Sequence, residues 1–201
     1  RGGGASRSDT PVAGACEACK RHIRPSICVV SGQTSFKARL IASKSHKTSS
    51  TDGCACCACP SFLATRMQAT EDAPTILEGE IEGLRPGRHA FHVHAFADFS
   101  EGLVGGGGIF NPFGKNHGAP DDEERMAGDL GNIDVDEQGV CRVHIEDRVV
   151  KLIGPHSIIG RSLIVKAGED DFGRGGHELS LTTGNSGARV AGGVVGIAPS
   201  K

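Results

Sequence analysis

The chain reads as an all-β domain of the antiparallel sandwich or barrel kind, preceded by an irregular, cysteine-rich extension. Three observations lead there. Short apolar and β-branched runs recur from residue 61 onward, with Gly, Pro, Asn or Asp turns between them. The composition is glycine-rich and aromatic-poor, with 30 Gly and 4% aromatic residues in 201, so the core must be built from aliphatic side chains on short elements. Two long stretches, 97–130 and 168–187, carry no periodic pattern; loops of that length in a compact domain are usually functional.

Residues 1–60 form the extension and 61–201 the domain. In the extension, 1–10 has a disordered composition, 27–30 and 36–41 read as short strands around Ser31-Gly32, and 43–53 is polar and loop-like. In the domain, 61–69 is a candidate strand. Ile76-Leu77-Glu78-Gly79-Glu80-Ile81-Glu82 alternates and ends at Gly83, and Leu84-Arg85-Pro86-Gly87 is a turn. Further strands are expected over 88–96, 141–146, 149–153, 162–166 and 190–198. The opening strands come from 27–41 or from 61–69, and the pattern leaves both open.

The net charge of −2 gives no general attraction to nucleic acid or to an anionic membrane, and no apolar run is long enough to span a bilayer. The first residue is Arg1, as in a fragment or processed product. Of eight cysteines, seven precede residue 60: Cys16, Cys19, Cys28, Cys54, Cys56, Cys57 and Cys59; the eighth is Cys141. Crowding into Cys-x-x-Cys and Cys-x-Cys pairs suits thiolate metal binding or unpaired thiols better than a disulfide framework. A reducing, cytoplasmic compartment is the matching expectation.

The most informative stretch is Phe91-His92-Val93-His94. Two imidazoles at i and i+2 of a strand project from one face, and neighbouring imidazoles suit copper or zinc. Downstream stand Phe110-Asn111-Pro112, His117-Gly118-Ala119-Pro120, Asp122-Glu123-Glu124-Arg125, Gly128-Asp129-Leu130-Gly131-Asn132, Ile158-Ile159-Gly160-Arg161-Ser162, Asp170-Asp171-Phe172-Gly173 and Thr183-Gly184-Asn185. This ordered set resembles the copper/zinc superoxide dismutase family over about residues 76–198. The run from Gly168 to His177 is most similar to the dismutase-like domain of the copper chaperone for superoxide dismutase.

The resemblance implies an eight-stranded antiparallel Greek-key barrel, an immunoglobulin-like sandwich architecture. It implies copper ligands at His92 and His94, zinc ligands at His117 and Asp129, a carboxylate at Asp170 linking a copper histidine to a zinc histidine, and an anion-guiding Arg189. Ile109, Met126 and Lys166 stand where the family keeps three further metal-binding histidines, and Leu103 and Gly192 fill the positions of its structural disulfide. A zinc site normally needs four donors, and cycling copper prefers more than two. The copper and zinc sites therefore read as weakened and incomplete. The plainer alternatives are a hydrogen-bonded loop pair at His117 and Asp129, a loop arginine bonded to carbonyls at Arg189, a core-filling Met126, and a solvated Lys166 pointing into the former site.

The leading expectation is a dismutase-family protein of weak or absent activity, chaperone-like or partner-binding. It would dock on a copper/zinc superoxide dismutase subunit or on itself through Ile159-Gly160 and Gly196-Ile197. Cys54, Cys56, Cys57 and Cys59 are its candidate thiolate copper cluster. The alternative is a copper-dependent dismutase that converts superoxide to oxygen and hydrogen peroxide with a reduced ligand set.

Overall fold

The computed structural model describes residues 26–31, 37–41 and 61–197. They form nine strands: β1 Ser26–Ser31, β2 Lys37–Ile41, β3 Ser61–Met67, β4 Thr75–Glu82, β5 Gly87–His94, β6 Asp129–Val135, β7 Val140–Asp147, β8 Ser162–Lys166 and β9 Arg189–Ile197. The only α-helix among the described residues is a single turn, α1, Ser180–Thr183. One sheet runs β2-β1-β9-β8-β5-β6 and the other β3-β4-β7. All pairings are antiparallel except β1 with β9.

The all-β expectation is met, with a difference in closure and count. Ladder hydrogen bonds do not join the two sheets among the described residues, so they face each other as an open sandwich where a closed eight-stranded barrel was expected. Both candidate sources of opening strands are strands: β1 and β2 before residue 60, and β3 from Ser61. The clusters Cys16/Cys19 and Cys54–Cys59 lie outside the described residues.

The core lies between the sheets. Leu77 and Ile81 of β4 and Val143 of β7 meet Phe91, Val93, Ile133, Leu163, Val165 and Val195. On β4 the buried positions Thr75, Leu77 and Ile81 fall on one face, as period-two alternation requires. From His89 onward β5 is buried at every position, and so is all of β8. Phe91, Val93, Leu163 and Val165 enter the core. The opposite face of these strands bears His92, His94, Ser162, Ile164 and Lys166, and it is buried as well, beneath the two long loops, 95–128 and 167–188.

Two expectations fail for identifiable reasons. Residues 149–153 are not a strand, because side chains take up their backbone. Asp147 Oδ1 accepts from Val149 N and Val150 N, both at 2.7 Å. Gln68 Oε1 accepts from Leu152 N at 2.7 Å and Ile153 N at 3.0 Å, and Thr75 donates to Val150 O. Conversely, Asp129–Val135 is a strand that begins inside the 97–130 stretch expected to carry no element. The register shifts between Ala90 and His92 opposite Asn132 and Asp129. Gly131 at φ 77° absorbs this bulge. The expected disulfide positions do adjoin: a Cβ on Gly192 would come 2.9 Å from Leu103 Cδ2. The buried thiol Cys141 is unpaired, and burial pushes it up to about 11.

Gln68 is a buried hub, since its amide also donates to Glu71 O at 3.1 Å and Ala73 O at 3.0 Å. Gln68→Ala leaves Leu152 N, Ile153 N and Glu71 O without that partner, while Ala73 O keeps Lys151, and each lost bond costs about 1–3 kcal/mol where the group stays buried. Urea denaturation should show a loss of about 3 kcal/mol or more; a loss below about 1 kcal/mol would mean that the segment re-pairs its backbone freely.

Candidate metal centre

His92 and His94 stand on β5 on the face away from the core, as their spacing requires. Their ring centroids are 6.4 Å apart. Each ring is oriented by one nitrogen. His92 Nε2 donates to Asp170 Oδ2 at 2.7 Å, and His94 Nδ1 donates to Gly107 O at 2.8 Å. The other nitrogens, His92 Nδ1 and His94 Nε2, are buried without a hydrogen-bond partner. A neutral imidazole that donates from one nitrogen presents a lone pair on the other. Two buried lone pairs therefore sit on neighbouring strand positions. Burial favours the neutral rings: it lowers His92, and it pushes His94 down to about 3 against the opposing bond to Gly107.

His117 lies in the first long loop, edge-on to His92 with centroids 5.4 Å apart. Its Nδ1 contacts Asp129 Oδ1 and its Nε2 contacts Asp170 Oδ1, both at 2.7 Å. Both partners are carboxylate oxygens, so both ring nitrogens carry protons and His117 is an imidazolium. Burial alone would lower it. Hydrogen bonds and charge attraction from Asp129 and Asp170 override burial and raise it to about 9. The same bonds, from His117 and His92, hold the Asp170 carboxyl below the ordinary carboxylate range against burial. The chain Asp129–His117–Asp170–His92 is thus continuous, and all four side chains are fully enclosed.

Supporting groups fix this chain. Asp129 Oδ2 accepts from Met126 N at 2.8 Å and Gly118 N at 3.1 Å. Arg125 donates to Asp129 O and to Asp147, both at 2.6 Å. Asn132 clasps the Asp170 backbone, donating to its carbonyl at 3.1 Å and accepting from its amide at 2.8 Å. Gly184, at φ 63°, lies against the pair; a Cβ there would overlap Asp170 and stand 2.6 Å from His117 Nε2. Asn132, Arg125 and Gly184 were not assigned roles from the sequence, although all three lie in the quoted motifs.

Ile109 bridges to His94 through its backbone and is buried. Met126 is also buried, and it engages Asp129 through its amide. Lys166 is 4% exposed, because both faces of β8 are covered. Burial and the neighbouring Arg189 lower Lys166, against the pull of Asp170. The Arg189 guanidinium donates to Leu103 O at 2.6 Å and Val104 O at 2.9 Å, and also reaches Gly107 O. Gly107 O therefore joins Arg189 to His94.

The donor set separates two ions. His92 Nδ1 and His94 Nε2 suit copper, which imidazole binds readily and which as Cu(I) accepts few donors. Zinc does not fit. His117 Nδ1 and Asp129 Oδ1 satisfy each other, and Ile109 and Met126 add no nitrogen, oxygen or thiolate donor. His92, His117 and Asp129 do offer atoms within 4.8 Å of one another, yet an ion there would have to break the His117–Asp129 bond.

A family model described as copper/zinc superoxide dismutase matches residues 63–195. The chain belongs to this family.

The site makes metal-free stability depend on pH in both directions. His117, raised above its unfolded value of 6.5 to about 9, contributes fully below pH 6.5 and loses its contribution as pH rises through about 9. His94, depressed to about 3, contributes above 6.5 and is lost as pH falls. Urea midpoints should therefore peak near about pH 6.5. His117→Gln should remove the alkaline decline, and a wild-type midpoint constant from pH 6.5 to 9.5 would contradict the charged bridge.

Proposed function

We propose that this dismutase-family chain holds copper without zinc and acts by docking on another dismutase-type subunit, in a chaperone-like role, with weak or no superoxide turnover. The observation that carries this reading is the His117 Nδ1–Asp129 Oδ1 bond at 2.7 Å beside two partnerless imidazole nitrogens. One lobe of the family's bimetallic site is closed by a proton, and the other keeps two donors.

His92 and His94 would hold the copper, which when bound supplies one-electron chemistry. The chain's own residues set the limits. Asp170 and Gly107 O fix the two rings. Ile109 offers no nitrogen, and Lys166 brings a cation. Dismutation needs both oxidation states, and Cu(II) asks for a tetragonal set of donors that two imidazoles do not supply.

The docking face is a set of exposed apolar groups at one end of the sheet. Phe96 is 61% exposed and Ile197 72%. Gly160 N donates to Val195 O at 2.7 Å, Arg161 to Ala95 O at 2.8 Å and Ser162 to Phe96 O at 2.6 Å. These bonds gather Phe96, Ile159-Gly160 and Gly196-Ile197 into one region. Small and aliphatic groups there permit close apolar contact. The occupant is a copper/zinc superoxide dismutase subunit or a second copy of this chain. Cys54, Cys56, Cys57 and Cys59 are the proposed thiolate donors for copper delivery, since soft thiolates select Cu(I).

The second reading, a copper-dependent dismutase with a reduced ligand set, is favoured by Arg189, which shares the Gly107 carbonyl with His94 and would draw an anion to the copper.

Protein exposed to copper and zinc should retain copper, lose it on joint His92→Ala and His94→Ala replacement, and retain no zinc. Its superoxide removal should not exceed that of the double variant. Removal well above that background would establish the enzyme instead. Ile197→Glu should abolish capture of a dismutase subunit without lowering the melting temperature, because the side chain is outside the core; undiminished capture would exclude this face.

A further inference from the structure

We propose that Leu103, seated in a notch over Gly192, is a latch that holds the loop 95–108 and with it the docking face, and that this latch works in reduced and in metal-free protein alike. This rests on the docking reading and names what keeps that face in shape.

The notch is made by the lack of a side chain. Gly192 stands on β9 opposite Ile164 of β8. A Cβ at residue 192 would come 2.6 Å from Ile164 Cδ1, 2.9 Å from Leu103 Cδ2 and 3.0 Å from Leu163 O, so only glycine leaves room there. Leu103 fills the room: it is 7% exposed, whereas Val104 beside it is 73% exposed. Arg189, at the start of the same strand, donates to the carbonyls of Leu103, Val104 and Gly107. One buried aliphatic side chain and one guanidinium fork thus anchor the loop to β9.

From this anchor the loop closes on itself. Ala95 N donates to Gly108 O at 2.9 Å, Phe96 N to Gly106 O at 3.0 Å and Gly107 N to Val104 O at 3.2 Å. Gly107, at φ 70°, lies against Phe96; a Cβ there would stand 2.7 Å from its ring. Phe96 is backed in this way within the docking face, and β9, which carries the notch, ends in that face at Gly196-Ile197.

Residues 95–108 and β9 contain no cysteine. The guanidinium of Arg189 keeps its proton in proteins. His94 bonds the loop through Nδ1 on Gly107 O and keeps Nε2 apart for a metal. Apolar contact and bonds to carbonyls answer to neither a reductant nor a chelator, so the face stays formed under both.

The test follows amide hydrogen exchange in the full chain. The amides of Ala95, Phe96 and Gly107 should exchange at the same rate with and without reductant and chelator. Leu103→Ala, which empties the notch, should speed them about tenfold or more while the β4 and β7 amides keep their rates. Leu103→Met, which refills the notch, should restore the protection. The wild-type and methionine arms report even if the alanine variant folds poorly. Wild-type loop exchange that rises about tenfold on adding reductant or chelator overturns the proposal, as does an unchanged loop in Leu103→Ala. Capture on an immobilised copper/zinc superoxide dismutase subunit, read in parallel, should fall with Leu103→Ala and return with Leu103→Met. No capture by wild-type protein whose loop is protected overturns the docking reading alone.

Discussion

Asp170 joins the parts of this centre through its two oxygens. One accepts from His92 on β5 and the other from His117 in the first long loop, while its own backbone is clasped by Asn132 on β6. A strand, two loops and a neighbouring strand are tied at one buried carboxylate. Such a carboxylate is tolerable only with its lone pairs satisfied. Here both oxygens meet ring N–H groups, and the backbone amide of Phe172 adds a further bond to Oδ1 at 2.8 Å. The orientation of His92, and hence the direction of its free lone pair, follows from this arrangement.

The physical consequence is a division of labour between the two lobes. In the lobe of His117 and Asp129 a protonated ring lies between two carboxylates, and each of its polar atoms has a partner inside the protein. In the lobe of His92 and His94 the bonds to Asp170 and Gly107 O turn the unprotonated nitrogens inward and leave them unmatched. The first lobe holds its shape by hydrogen bonds alone; the second is arranged for an external acceptor of lone pairs. Lys166 and Arg189 add positive charge beside it, which weighs against a dication more than against a monocation.

The legible part of the fold was the part with period-two patterning. The alternation of Leu77 and Ile81 marked β4, and the spacing of His92 and His94 placed both rings on one face. The order of motifs located His117, Asp129, Asp170 and Arg189, which are far apart in sequence and meet only because two loops fold over β5 and β8. Less was legible where side chains do the work of backbone. Gln68 and Asp147 capture the amides of residues 149–153, so an apolar β-branched run fails to become a strand. Gly131 serves a bulge in β6, a strand that no alternation in the sequence announced. Lys166 reads as a surface residue by type, and only coverage of both faces of β8 makes it buried. The His117–Asp129 bond itself was present among the plainer readings, but no feature of spacing separates a pair that binds a proton from a pair that binds zinc.

The most direct test of this account is to observe the His117 ring nitrogens by long-range proton–nitrogen NMR before and after addition of zinc to copper-free protein. The account predicts that both nitrogens stay protonated and that the Nδ1 proton, shared with Asp129, persists. Loss of that proton with stoichiometric zinc uptake would contradict it, because zinc would then occupy the place assigned to the hydrogen bond.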